Sequence, residues 1–301
     1  MASYPRRLTP RGTMNMPPIT IIGCGYVGTR LAGQIEQQAP SLLAVVRNAT
    51  SAQRLEKLGI AARALDLDSE PSPPLTGHWV FYFAPPPSSG HTDSRIAHWL
   101  DSLGAQTPAK IVLISTTGVY GDCGGRWISE AEPVHPQSDR ARRRVDAEQR
   151  LQRWCGERQL PCAIVRVPGI YGPGRLPRAR LQRQLPVLAE GDSPFSNRIH
   201  VDDLVRACLA AADSDFTGIV HVSDGHPSTM SDYFNRVADA LGLPRPPQIT
   251  REEAQHSLSR EMLSYLAESK RLDITRMRSV LGVEPDYPDL DEGLAQCVAG
   301  E

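Results

Sequence analysis

Several common signatures are missing from this 301-residue chain. No apolar run approaches the ~20 residues that cross a bilayer as a helix. The six cysteines (Cys24, Cys123, Cys155, Cys162, Cys208 and Cys297) form no CxxC pair and no metal-ligand spacing. The eight histidines include no HExxH, so no metal site is expected. With a net charge of -1, nothing steers the chain toward nucleic acid or an anionic membrane. The first sixteen residues are rich in Arg, Pro and Thr but lack the apolar core of a secretory signal. They read as a flexible tail, residues 1–16, with Met14 or Met16 as alternative starts. No internal repeat is visible. A reduced, metal-free, cytoplasmic protein fits these absences.

What is present is an alternation of short apolar runs and amphipathic stretches, the pattern of parallel βαβ units. Strands are expected at Ile19–Gly23, Leu42–Arg47, Ile60–Leu65, Trp79–Ala84, Lys110–Ser115 and Cys162–Val167. Helices are expected over Tyr26–Gln37, Arg54–Leu58, Ile96–Leu103 and Asp139–Trp154. Strands this uniformly apolar require helices on both faces of the sheet. Beyond Gly169 the strands become sparse, and short helices are expected over Asp203–Ala212, Met230–Leu241 and Ile274–Leu281. The expected fold is therefore α/β: a doubly wound, mostly parallel Rossmann sheet over 17–170, with a smaller C-terminal α+β lobe over 171–301. Part of 197–223 is expected to return to the first unit.

The run Gly23-Cys24-Gly25-Tyr26-Val27-Gly28 is a GxGxxG that leaves a β-branched strand and opens a helix. In that context the first glycine permits the tight turn, the second admits a pyrophosphate to the backbone, and the third allows close helix–strand packing. The helix N-terminus adds free N–H groups and a favourable dipole. Nineteen residues past Gly28, the second strand ends in Arg47-Asn48, where an NAD site usually carries an acidic residue. An arginine there suits the 2′-phosphate of NADP, so NADP is favoured, with NAD the alternative; a solvated surface arginine is the plain reading. Asp66, after the third strand, is equally readable as an adenine acceptor or as a turn residue.

From Ser115 onward the sequence resembles a known family. STTGVYGD (115–122), VRVPGIYGPGR (165–175), NRIHVDDLVRA (197–207), HVSDGHPST and the C-terminal SKRLD and LGVEPDYP follow the glycine turn in order. Together they resemble the extended short-chain dehydrogenase/reductase superfamily, also called the NAD-dependent epimerase/dehydratase family, over residues 17 to 298. The resemblance implies that Thr116 hydrogen-bonds a substrate oxygen. It also implies that Ala84, Pro85 and Pro168 border the cofactor, and that a YxxxK helix supplies the general acid–base. Here Arg140 stands where that tyrosine should be and Arg144 where the lysine should be. Arginine does not deprotonate at physiological pH, but it can clamp a carboxylate or phosphate. Equally, Arg140, Arg142, Arg143 and Arg144 read as a solvated helix face. The loss resembles the atypical YeeZ-like branch. Thr117 and Gly118 occupy the positions of the acidic pair used by 4,6-dehydratases, which argues against dehydration.

The resemblance thus implies an NADP-dependent oxidoreductase or epimerase acting on a small sugar-like or nucleotide-linked substrate. Thr116 polarises the oxygen, Arg140 or Arg144 binds an anionic group, and Tyr120, Asp139 or water gives the proton. The alternative is a catalytically degenerate NADP-binding sensor or scaffold. Tyr120 and Tyr171 read more readily as packing residues, and His200 and Asp202 as ties between the two lobes. No nucleic acid or membrane partner is expected, and relatives leave a homodimer open.

Overall fold

The computed structural model describes residues 16–35 and 41–299. Seven parallel strands form one sheet: β1 (Ile19–Ile22), β2 (Leu42–Val46), β3 (Ala62–Ala64), β4 (Trp79–Tyr82), β5 (Lys110–Thr116), β6 (Cys162–Val167) and β7 (Gly218–His221). Their spatial order is β7-β6-β5-β4-β1-β2-β3. β1 pairs with β2 (Ile22↔Val45) and with β4 (Ile22↔Tyr82), so the order reverses at β1. The chain therefore leaves β1 into a crevice at the carboxyl ends of the strands, where doubly wound sheets bind their ligands.

Helices cover both faces. α1 (Tyr26–Ile35), α2 (Ala49–Glu56) and α5 (Val201–Asp213) pack one face, where Leu31, Leu55, Leu204 and Cys208 bury against Ile19, Ile21 and Val165. α3 (Ser94–Ser102) and α4 (Asp139–Arg158) cover the other, with Trp99, Leu100, Leu151 and Trp154 against Val80, Tyr82, Ile111 and Leu113. The two-faced burial accounts for the near-continuous apolar strands. Among the described residues no helix is long and apolar enough to cross a membrane.

The expected strands all form, several shorter than the sequence implied. β1 stops at Ile22 because Gly23 turns at φ +87, and β4 stops at Tyr82. α2 begins earlier than expected, at Ala49, because the Asn48 side chain accepts from Ser51 N at 2.9 Å and caps it. The sequence reading had no strand at 218–221; four residues ending in histidine give too short an apolar run. Met16, placed in the tail, is packed in the core. Residues 1–15, and Glu36 and Gln37 of the first expected helix, lie outside the described residues.

Beyond β6, α6 (Met230–Ala240), α7 (Arg260–Leu266), α8 (Thr275–Leu281) and α9 (Leu290–Ala299) follow. α7 and α9 were not expected. α6 and α9 share a separate core with Tyr171 and Leu181. His200 stitches α9 to the sheet: it caps α5 by accepting from Asp202 N at 3.2 Å, and its Nε2 meets Gln296 Oε1 at 3.1 Å. Full burial pushes its imidazole pKa down to about 4 from 6.5. The unfolded chain therefore binds the extra proton between pH 6.5 and 4, and this contribution to stability is lost as pH falls through that window. Asp224, lifted to about 7 by burial, works in the opposite direction, so the effect is read against a variant. From pH 6.5 to 4, the wild type should lose about 3 kcal/mol relative to His200→Asn, which keeps a capping oxygen. Urea unfolding at the two pH values measures it, and an unchanged difference contradicts the burial argument.

Candidate functional site

The glycine turn follows the physical division of labour expected of it. A Cβ on Gly23 would collide with the backbone of Ala84, and the residue sits at φ +87, so only glycine fits. At Gly28 a Cβ would lie 3.0 Å from Ile21 Cγ2 and 3.1 Å from Cys24 Sγ, which makes it the helix–strand contact. Around Gly25 a Cβ would meet nothing within 4 Å: the second glycine faces open space. That opening lies at the start of α1, whose first N–H groups, from Tyr26, Val27 and Gly28, have no intrahelical acceptors. A pyrophosphate fits this arrangement.

The other proposed cofactor residues line the same edge of the sheet. Arg47 is exposed just past β2, beside the turn. Asn48 has its side chain engaged in capping α2. Asp66 Oδ1 accepts from Asp68 N at 3.1 Å, the bond of a turn residue. Asp68 went unnoticed in the sequence. Arg95 grips its carboxylate at 2.8 and 2.7 Å and donates to Pro85 O at 2.6 Å, fixing the loop after β4. Arg95, and more weakly Arg47, hold Asp68 below the usual carboxylate range. Tyr26 bridges to the second lobe, its hydroxyl donating to Pro173 O at 3.1 Å.

Beyond this crevice a cavity of about 550 Å3 opens between Thr116 and Pro168, at the ends of β5 and β6, and the C-terminal lobe. Arg140 and Arg144 both line it, one helical turn apart on α4. Ser138 caps that helix, accepting from Ala141 N at 3.4 Å. The solvated-face reading of the arginines is corrected. Only Arg142 is exposed, paired with Asp139 at 2.7 Å. Arg143 is buried and donates to Gly90 O at 2.6 Å, Arg140 stacks on Tyr265 at 3.9 Å, and Arg144 donates to Ile114 O at 3.3 Å. Burial pushes the Arg144 pKa down, opposed first by Asp93.

Thr116 Oγ1 accepts from Gly118 N at 3.2 Å, which leaves its proton free to donate into the cavity. Neither alternative proton donor reaches it. Tyr120 is 1% exposed, shares its hydroxyl with Arg166 at 2.7 Å and His221 at 2.5 Å, and is pushed up to about 12 by burial. Asp139 is exposed and ion-paired rather than desolvated. Tyr171 is buried under α9, where a Cβ on Gly293 would strike its ring. The C-terminal lobe adds residues that the sequence reading missed: Arg198, Tyr233, Tyr265, Glu268 and Lys270, with Lys270 Nζ 2.7 Å from Glu268 Oε2. In the sequence Lys270 was visible only as part of SKRLD, with nothing to tie it to Thr116.

Comparison with known proteins agrees with this fold. Residues 91–222 match the model of the NAD-dependent epimerase/dehydratase family. A Streptomyces protein named 3-diazoavenalumate denitrifying reductase is 26% identical, with 90% of this chain and 97% of that protein covered. Protein YeeZ of Escherichia coli is 24% identical, with 91% and 97% covered. The ordered motifs and this family match point to the same family, the NAD-dependent epimerase/dehydratase family. Among solved structures, a conserved protein of unknown function from Silicibacter pomeroyi superposes with TM-score 0.82 at 28% identity, covering 94% of this chain and 99% of that one. The UDP-glucose 4-epimerase of Thermotoga maritima, at 19% identity and TM-score 0.76 with 94% and 98% covered, shares the fold. The seven-stranded sheet is a Rossmann unit of the kind found in the epimerase/dehydratase family, and the glycine turn has the space that a nicotinamide cofactor needs.

The turn makes a clean prediction. Gly23→Ala should destabilise the fold by about 2 kcal/mol or more, because strain and a backbone clash add. Gly25→Ala should leave the melting temperature nearly unchanged, yet weaken binding of NADPH or NADH at least about tenfold by filling the opening. Thermal melts and calorimetric titrations separate the two; equal melting losses would contradict this division of roles.

Proposed function

We propose that this protein is a nicotinamide-dependent reductase or epimerase, with NADP preferred, that acts on a small substrate carrying an anionic group. One observation carries the reading: a free threonine hydroxyl and two helix-borne guanidiniums converge on a single cavity at the carboxyl ends of β5 and β6. A bound nicotinamide supplies the hydride chemistry. Thr116 donates a hydrogen bond to the substrate oxygen, where charge develops as the reaction proceeds. Arg140 and Arg144 supply positive charge that draws an anionic substrate into the cavity and orients it beside Thr116. Burial under the C-terminal lobe strengthens these contacts by lowering the local dielectric.

The preference for NADP rests on Arg47, exposed where the second strand leaves the crevice. The name of the Streptomyces relative supports reduction as the reaction type. When hydride displaces dinitrogen from a diazonium carbon, a C–H bond forms as the C–N bond breaks, and the protein need supply no proton. A site whose α4 offers arginines instead of a titratable pair suits such a reaction. For a carbonyl substrate, Lys270 is the ammonium the cavity offers.

NADPH should bind more tightly than NADH, and Arg47→Asp should shrink the ratio at least about tenfold; equal affinities in the wild type would remove the preference. Transfer of labelled hydride from NADPH, screened over sugar nucleotides, simple aldehydes and an aryl diazonium carboxylate, tests the chemistry. Thr116→Ala should lower the transfer rate about tenfold to a thousandfold while cofactor affinity stays within about twofold. Tight NADPH binding with no transfer, indifferent to Thr116→Ala, is what a cofactor sensor would give.

A further inference from the structure

The cavity carries more positive charge than it neutralises. Arg140, Arg144, Arg198 and Lys270 line it against one carboxylate, Glu268, and that carboxylate is paired with Lys270 at 2.7 Å. None of the three guanidiniums forms an ion pair among the described residues.

Arg198 is the one the fold goes furthest to accommodate. It lies on the short strand Arg198–His200, which pairs in parallel with Gly169–Tyr171 so that Arg198 stands opposite Gly169. A Cβ on Gly169 would come within 2.8 Å of Arg198 Nη1, so glycine leaves the passage through which this side chain reaches the cavity. The guanidinium lies 4.2 Å over the Tyr233 ring, donates to Asn197 O at 2.8 Å, and approaches Met230 Sδ at 3.6 Å. One carbonyl and one thioether are its acceptors. Asp224 feels this charge without pairing with it, and burial lifts that carboxyl to about 7, which makes it a poor counter-ion at neutral pH. A cation taken out of water without a partner is costly, and an anionic ligand is the partner that offsets the cost.

The neighbouring polar groups narrow the class of that ligand. Asn197 is engaged at both ends of its side chain, its Nδ2 donating to Lys270 O at 3.0 Å and its Oδ1 accepting from Leu272 N at 3.0 Å. Ser196 Oγ donates to Ser228 O at 3.4 Å. Ile170, Phe195, Met230 and Tyr233 give the cavity apolar lining, and Tyr233 and Met230 touch the guanidinium itself. A hydroxyl-rich body would give up its water here for few partners, whereas a flat apolar body bearing one oxyanion loses nothing.

We propose that Arg198 is a carboxylate anchor, and that the cavity takes a small carboxylate with a flat, apolar body. The proposal rests on the substrate-cavity reading above and narrows its anionic group to a carboxylate held at the Arg198 end. Arg198 is then a specificity-determining residue, binding two oxygens through its planar fork while Tyr233 stacks behind it.

Calorimetric titration of the full chain with 4-formylbenzoate, benzaldehyde and inorganic phosphate tests this, each with and without NADPH. The wild type should bind 4-formylbenzoate at least about tenfold more tightly than benzaldehyde. Arg198→Met should erase that gap, and Arg198→Lys, which keeps the charge but loses the fork, should retain only part of it. NADPH affinity should stay within about twofold in both variants. Equal binding of aldehyde and carboxylate overturns the proposal, as does a gap that survives Arg198→Met, or no saturable binding up to about 10 mM. Phosphate binding more tightly than 4-formylbenzoate, and lost in Arg198→Met, overturns the carboxylate class. The NADPH titration reports separately on the cofactor: a chain that binds 4-formylbenzoate through Arg198 but ignores NADPH keeps this anchor and loses the reductase reading.

Discussion

A buried ion pair between Arg166 and Glu148 is the constraint on which the site is built. Arg166 sits inside the apolar strand β6 and donates to Glu148 of α4 through Nε at 3.1 Å and Nη2 at 2.6 Å. Ser115 of β5 donates to the same carboxylate, while the remaining Arg166 nitrogen reaches Tyr120, which meets His221 of β7. Two charges leave water at a cost of several kcal/mol each, and only a bidentate, fully hydrogen-bonded arrangement offsets it. Its value is positional. It fixes the rotation of α4 against three strands, and that rotation turns Arg140 and Arg144, earlier on the same helical stripe, into the cavity.

The same network removes Tyr120 from chemistry. Its hydroxyl is committed to a guanidinium and an imidazole below the strand ends, while Thr116, four residues earlier, emerges at the cavity wall. The site therefore combines a rigid floor, made by the sheet and α4, with a roof of side chains from the C-terminal lobe. Arg140 and Arg144 of the floor and Arg198 and Lys270 of the roof line the same cavity. Such an arrangement favours a compact anion over a neutral, hydroxyl-rich ligand, since charge there is weakly screened and hydroxyl partners are few.

How much of this was legible in the sequence depends on the range of the signal. The glycine turn was legible because its three glycines answer to contacts within one βα unit: a turn, an opening and a helix–strand contact are all decided by neighbours in sequence. The main strands and α4 were legible for the same reason, through hydrophobic period and the Ser138 cap. The arginine stripe was visible as four cations but not as a site, since the same letters describe a solvated face. Packing of α3 and α4 over the sheet separates exposed Arg142 from buried Arg143 and from cavity-lining Arg140 and Arg144.

By itself, then, the sequence determined the doubly wound sheet, the glycine turn and the resemblance to the epimerase/dehydratase family, because each rests on local periodicity or an ordered set of short motifs. The tertiary structure alone decided that Arg198, Glu268 and Lys270 share a cavity with Thr116, and that Arg166 is an internal anchor. Those outcomes depend on side chains far apart along the chain meeting in a low-dielectric space, where the cost of an unpaired charge is set by neighbours that no linear pattern names.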